Sequence, residues 1–249
     1  MLKFFRRIRK KLLNEGSVNK YLIYAIGEIL LVMIGILLAL QVNNWNEKQK
    51  LKEVRSQLIQ DLKIELIIAH ERIEPTIELG EAIVEKGNLF FKHVEKNDNR
   101  ISKDSLSNLL EQILSGTPYD LQLPSYEEAK SSGRLSLLNS KEILKGYSNI
   151  LIATQGHKLH RNIGTEMWYL GSMWEMRSKI GGRAVLTESN AKLPKNLKLS
   201  EEEFRSFLVN PNSYAAIENA HNMTNTTLGY LKRINTSIIE VIDLLEKSN

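Results

Sequence analysis

The chain has 249 residues, a formal net charge of +5 and no cysteine. The missing cysteine excludes disulfides, thiolate catalysis and cysteine-built zinc sites. The positive charge belongs to the first 20 residues, which carry a net of +6, while residues 43–249 are neutral overall. A nucleic-acid-binding domain would carry its basic charge on the folded part, so no nucleic-acid partner is expected.

Residues 1–20 read as a basic cytoplasmic tail. Arg6, Arg7, Arg9, Lys10 and Lys11 alternate with Phe4, Phe5, Ile8, Leu12 and Leu13 at helical spacing. Such a segment suits the inner leaflet, its cations against anionic headgroups, and it also serves as a topology signal; the two readings are compatible.

Residues 21–42 follow, apolar or aromatic except at Gly27, Glu28, Gly35 and Gln41. About 20 such residues at 1.5 Å rise span a bilayer core of about 30 Å. Tyr21 and Tyr24 flank one end and Trp45 the other, where amphipathic rings favour headgroups. Positive charge stays on the cytoplasmic side, so the expected topology is N-terminus in and residues 43–249 out, across a bacterial inner membrane. A cleaved signal would have an apolar run of about 7–15 residues and a small-x-small site, and Gln41 fits that site poorly.

Within the anchor, Glu28 sits about 10 Å deep at helical rise. It shares a face with Gly35, and Gly35-x-x-x-Ala39 is a small-xxx-small pattern, with Gly27 beside Glu28. This face suits a second helix, from another copy or from a different membrane protein, with Glu28 hydrogen-bonded across it. A protonated or snorkelling Glu28 is the alternative that needs no partner beyond the lipid bilayer.

Lys3-Phe4-Phe5-Arg6 with Lys11-Leu12-Leu13, then Tyr24-Ala25-Ile26-Gly27-Glu28-Ile29, then Ile34-Gly35-Ile36 through Ala39-Leu40-Gln41-Val42-Asn43-Asn44-Trp45-Asn46, resemble the opening of a large family of uncharacterised single-span proteins of Gram-negative bacteria, a domain of unknown function. Glu128 to Asn139 resembles that family's middle segment. The resemblance implies a membrane-anchored protein and supplies no catalytic residues.

From Asn46 the expected fold is all-α, an extramembrane antiparallel helical bundle with short inserted helices. Leu51, Val54, Leu58, Leu62, Leu66, Ala69 and Ile73 form one apolar stripe. Pro75 predicts a break, and Ile77, Ile83, Phe90, Phe91 and Val94 a return helix, the two making a hairpin. A short helix carries Leu106 to Leu114 and stops at Gly116. Ser125 with Glu128 has capping-box spacing, and Gly133 fits a left-handed cap. Asn139 with Glu142 opens a long helix reaching about residue 180. Ser200 with Glu203 caps a short one. Asn210-Pro211 breaks it, and Ser213 starts the last helix. The four long helices are thus expected at about 46–73, 76–96, 141–180 and 213–247.

Few residues suggest chemistry. His157 and His160 stand i,i+3 apart, so both could face one metal, with Glu166 as a further ligand. Glu218-x-x-His221 has the spacing of a di-iron carboxylate motif, which needs a second copy. Surface or hydrogen-bonded histidines are the simpler reading. Trp168 and Trp174, with Tyr169, Met167, Met173 and Met176, either pack a core or line an apolar pocket. There is no phosphate-binding glycine loop, Gly-x-Ser-x-Gly or His-Glu-x-x-His, and no cofactor is expected. The function expected first is a non-enzymatic accessory or scaffold protein. A small-ligand sensor acting through a membrane partner comes second, and an envelope hydrolase or metal enzyme third.

Overall fold

The computed structural model describes residues 18–170, 173 and 199–248, and within them every regular element is helical. Six α-helices follow in order: α1 (Val18–Glu95), α2 (Lys103–Ile113), α3 (Pro124–Ser131), α4 (Lys141–Leu170), α5 (Glu201–Val209) and α6 (Pro211–Glu246), with a 3-10 turn at Arg134–Leu138 after α3. The chain divides into two compact units, Met1–Gln57 and Leu58–Asn249.

The hairpin expected at Pro75 does not form. α1 runs through it, and the described residues hold three long helices where four were expected. Proline removes one N–H and crowds the carbonyl four residues back, at about 3 kcal/mol in a helix interior. Pro75 and Glu71 are both exposed, so the carbonyl that loses its partner has water beside it. The Thr76 hydroxyl donates to the neighbouring Arg72 carbonyl at 3.3 Å. Leu66, Ala69 and Ile73 before the proline, and Ile83 and Phe90 after it, are buried, and this burial offsets the local cost. The inward stripe also starts later than expected, because Leu51 and Val54 are exposed and burial begins at Leu58.

In the Leu58–Asn249 unit, α6 is the central helix and runs antiparallel to α1. Lys63 pairs with Glu246 at 2.7 Å, His70 Nδ1 with Asn235 Oδ1 at 2.8 Å, Glu81 with Lys232 at 2.6 Å, and the Tyr214 hydroxyl donates to Glu95 at 2.9 Å. On its other side α6 runs antiparallel to α4, with Val241 over Gly146, Tyr230 over Gly156 and Met223 over Gly164. The part of α1 after Leu58 and α4 therefore run the same way, and α2, α3 and the turn carry the chain back between them. One core joins Leu58–Ile73, Tyr119–Tyr126, Ile143–Ile150 and Leu231–Leu245. A second joins Phe90–Val94 to α2, α5, Met173 and the start of α6.

Helix ends follow side-chain chemistry. Ser200 and Glu203 form the expected capping box. Gly133 takes the left-handed conformation, φ 75°, and Asn139 does so at φ 49°. Two expected caps differ. Ser140, not Asn139, caps α4, its Oγ accepting from the Ile143 N–H at 3.2 Å. Helix α3 has no cap from its own N-cap residue and starts with Pro124, so the Ser125–Glu128 box does not form. The Glu65 carboxylate of α1 supplies the cap instead, accepting from the Ser125 and Tyr126 N–H groups at 2.5 and 3.2 Å. Glu128 pairs with Arg134 across the turn that follows.

Candidate functional sites

Residues 22–42 present a helix whose most apolar 18-residue window has a mean hydropathy of 2.5 and is unburied. At 100° per residue Glu28, Gly35 and Ala39 fall on one face. Gly35 and Ala39 are exposed, as is Gly27, and Glu28 and Tyr24 are half-buried. A methyl added at Gly27 or Gly35 would meet nothing within 4 Å, so both glycines leave open, close-approach surface. Trp45 is exposed beyond the run. Phe4, Phe5, Arg6, Arg7, Arg9, Lys10, Lys11 and Trp174 lie outside the described residues, and for Tyr21 and Trp168 the description covers the helical backbone alone.

The two histidines of the His157-x-x-His160 pair have different surroundings. His157 is buried, edge-on to Tyr119 with ring centroids 6.5 Å apart. Its Nε2 has no hydrogen-bond partner among the described residues. Burial, reinforced by Arg161, His160 and Lys158, holds its pKa below the usual histidine value, with Asp120 opposing. His160 instead meets the Met223 carbonyl at 3.2 Å and tilts against Tyr230. No group of three or more His, Asp or Glu side chains among the described residues is placed to hold a metal ion.

His221 is buried between α1 and α6. Its Nε2 meets Asn88 Oδ1 at 3.1 Å, its ring tilts against Phe91, and burial lowers its pKa, with Glu218 opposing. It fits only because residue 87 is glycine, since a methyl there would stand 2.2 Å from His221 Nδ1. This seat, and those at Gly146, Gly156 and Gly164, are the structural feature that the sequence reading missed. The signal was present, because glycine inside a helix costs about 1 kcal/mol relative to alanine and is usually kept for packing.

A surface cleft of about 390 Å³ opens beside the α3 cap. Ile64, Ile68, Leu121 and Tyr119 give it apolar walls, and Glu65, Arg72 and Gln122 give it polar ones. Burial pushes the Tyr119 hydroxyl up to about 12, and this hydroxyl donates to the Ala69 carbonyl at 3.4 Å.

These features define an all-α protein, and among the described residues one helix near the N-terminus is long and apolar enough to cross a membrane. No family model, curated protein or solved structure matches the chain.

Proposed function

We propose that the protein is a membrane-anchored accessory or scaffold protein of a bacterial inner membrane, with its tail in the cytoplasm and its helical domain outside. The observation that carries this reading is the apolar helix, unburied along its most apolar window, with open glycines at Gly27 and Gly35. Lipid satisfies such a surface, and a small-residue face lets a second helix approach closely enough to gain dispersion energy. The basic tail supports the orientation. The test is co-purification from gently solubilised membranes, comparing wild type with Glu28→Gln and Gly35→Leu. A stoichiometric membrane protein released by Gly35→Leu is expected. Monomers throughout would overturn the helix-face reading.

A second reading, a small-ligand sensor working through a membrane partner, draws on the cleft beside Glu65. Its mixed walls suit an amphiphile with an anionic group that Arg72 can meet. Thermal stabilisation by such a ligand, abolished in Arg72→Ala, would favour it over the scaffold.

A further inference from the structure

Between α2 and α3, residues 116–123 have no regular structure and bridge α1 and α4 as a strap. Among the described residues no backbone hydrogen bond ties residues 116–122 to another element. Side chains hold the strap instead. Tyr119, Leu121 and Leu123 are buried in the core that joins α1, α4 and α6. The polar ties are long ones. The Tyr119 hydroxyl donates to the Ala69 carbonyl at 3.4 Å, Arg161 donates to the Tyr119 carbonyl at 3.4 Å, and Lys158 pairs with Asp120 at 3.5 Å.

His157 lies within this clasp, buried and edge-on to the Tyr119 ring, its Nε2 without a partner among the described residues. The charges around it are mostly positive. Its own helix brings Lys158, His160 and Arg161, and Asp120 of the strap opposes them. From α1, Arg72 acts on the Tyr119 hydroxyl, and from α6, Tyr230 lies against His160.

We propose that residues 116–123 are a pH-gated strap, which neutral His157 holds against α1 and α4 and protonated His157 releases. An imidazolium donates from both nitrogens, and Nε2 has no acceptor here. Its charge would also stand among three neighbouring cationic side chains. Both costs fall when the strap lifts and water reaches the ring. Burial holds the closed-state pKa below the ordinary histidine value, which agrees. The ring is therefore neutral and the strap shut above about pH 6.5, and opening gains as pH falls below it. Burial of Tyr119 and Leu121 keeps the open form a minority. Between pH 7.5 and 5.5 one such proton raises that minority by at most about tenfold. The strap supplies Tyr119, Leu121 and Gln122 to the cleft wall, so its release reshapes the cleft. The switch needs neither the anchor contact nor a ligand.

The chain has no cysteine, so a single introduced thiol reports one place. Full-length Leu121→Cys, Gln122→Cys and Val241→Cys chains are labelled in detergent with a pyridyl disulfide at pH 7.5 and 5.5. Gln122 is exposed and corrects for thiol ionisation, and Val241, buried on α6, reports opening of the whole unit. Leu121→Cys is expected to label at least tenfold faster than Val241→Cys at both pH values. Relative to Gln122→Cys, its rate should rise threefold to tenfold at pH 5.5. Adding His157→Phe should abolish the rise. Labelling of Leu121→Cys no faster than that of Val241→Cys, or no rise at pH 5.5, overturns the proposal without recourse to the His157 variant. A rise that persists in a folded His157→Phe chain overturns it too.

Discussion

Replacing Gly87 with alanine is expected to destabilise the Leu58–Asn249 unit, although alanine is the better helix former. The gain in helix propensity is about 0.8–1 kcal/mol. Against it, the new methyl would lie 2.2 Å from His221 Nδ1 and 2.4 Å from Cε1, where ordinary contact is near 3.5–4 Å. The ring is buried between Gly87 and Phe91, and its flat body cannot bend away. Overpacking of this kind costs about 1–3 kcal/mol, and a displaced ring also gives up the Asn88 bond, worth about 1 kcal/mol. The net expectation is about 2 kcal/mol, a Tm drop of about 4–8 °C for a chain of this size. The assay is thermal unfolding of the full chain in detergent, followed by far-UV circular dichroism. Gly229→Ala is the matched control, because a methyl there meets nothing within 4 Å, and it should raise Tm by about 2–4 °C. In a His221→Ala background the obstacle is gone, and Gly87→Ala should become neutral or stabilising. The reasoning fails if Gly87→Ala stabilises the wild type as Gly229→Ala does, or costs as much without His221 as with it.

Glu65→Ala should cost about 1 kcal/mol, because the Ser125 and Tyr126 N–H groups at the start of α3 lose their acceptor; Tm in the same detergent measures it, and an unchanged value would remove Glu65 as the cap. Tyr147→Phe should be neutral or stabilising by up to about 1 kcal/mol, since the buried Tyr147 hydroxyl has no hydrogen-bond partner among the described residues; a clear loss of stability would show an acceptor at that atom. The depressed pKa values of His157 and His221 mean that the unfolded chain binds protons more readily than the folded one. Their contribution is therefore present above the unfolded histidine value of about 6.5 and is lost as pH falls from there toward the folded values. Denaturant midpoints between pH 7.5 and 5 should fall with pH, and His157→Phe should flatten the slope; an equally steep slope in the variant would refute the assignment.

The apolar run from residue 21 to 42 needed no tertiary information, because length and hydropathy alone fix whether a helix can span a bilayer. Caps made by near neighbours were equally legible. Ser200 with Glu203 closes a ring within four residues, and Gly133 answers a local demand for positive φ. What the chain alone does not carry is anything decided by a distant segment. Pro75 marks a break by local rules, yet the helix continues because buried residues on both sides hold it, a gain that exists only once α6 is in place. Ser125 and Glu128 have capping spacing, but Glu65, sixty residues away, takes the Ser125 amide that the box would use, together with that of Tyr126. His157 and His160 share a helix and the spacing of a metal pair, and the bundle sends one into the core and the other to a carbonyl of α6. Local sequence sets which bonds a segment can make with itself, while the choice among those bonds belongs to the packing, where burial of apolar surface outweighs a cap or a proline.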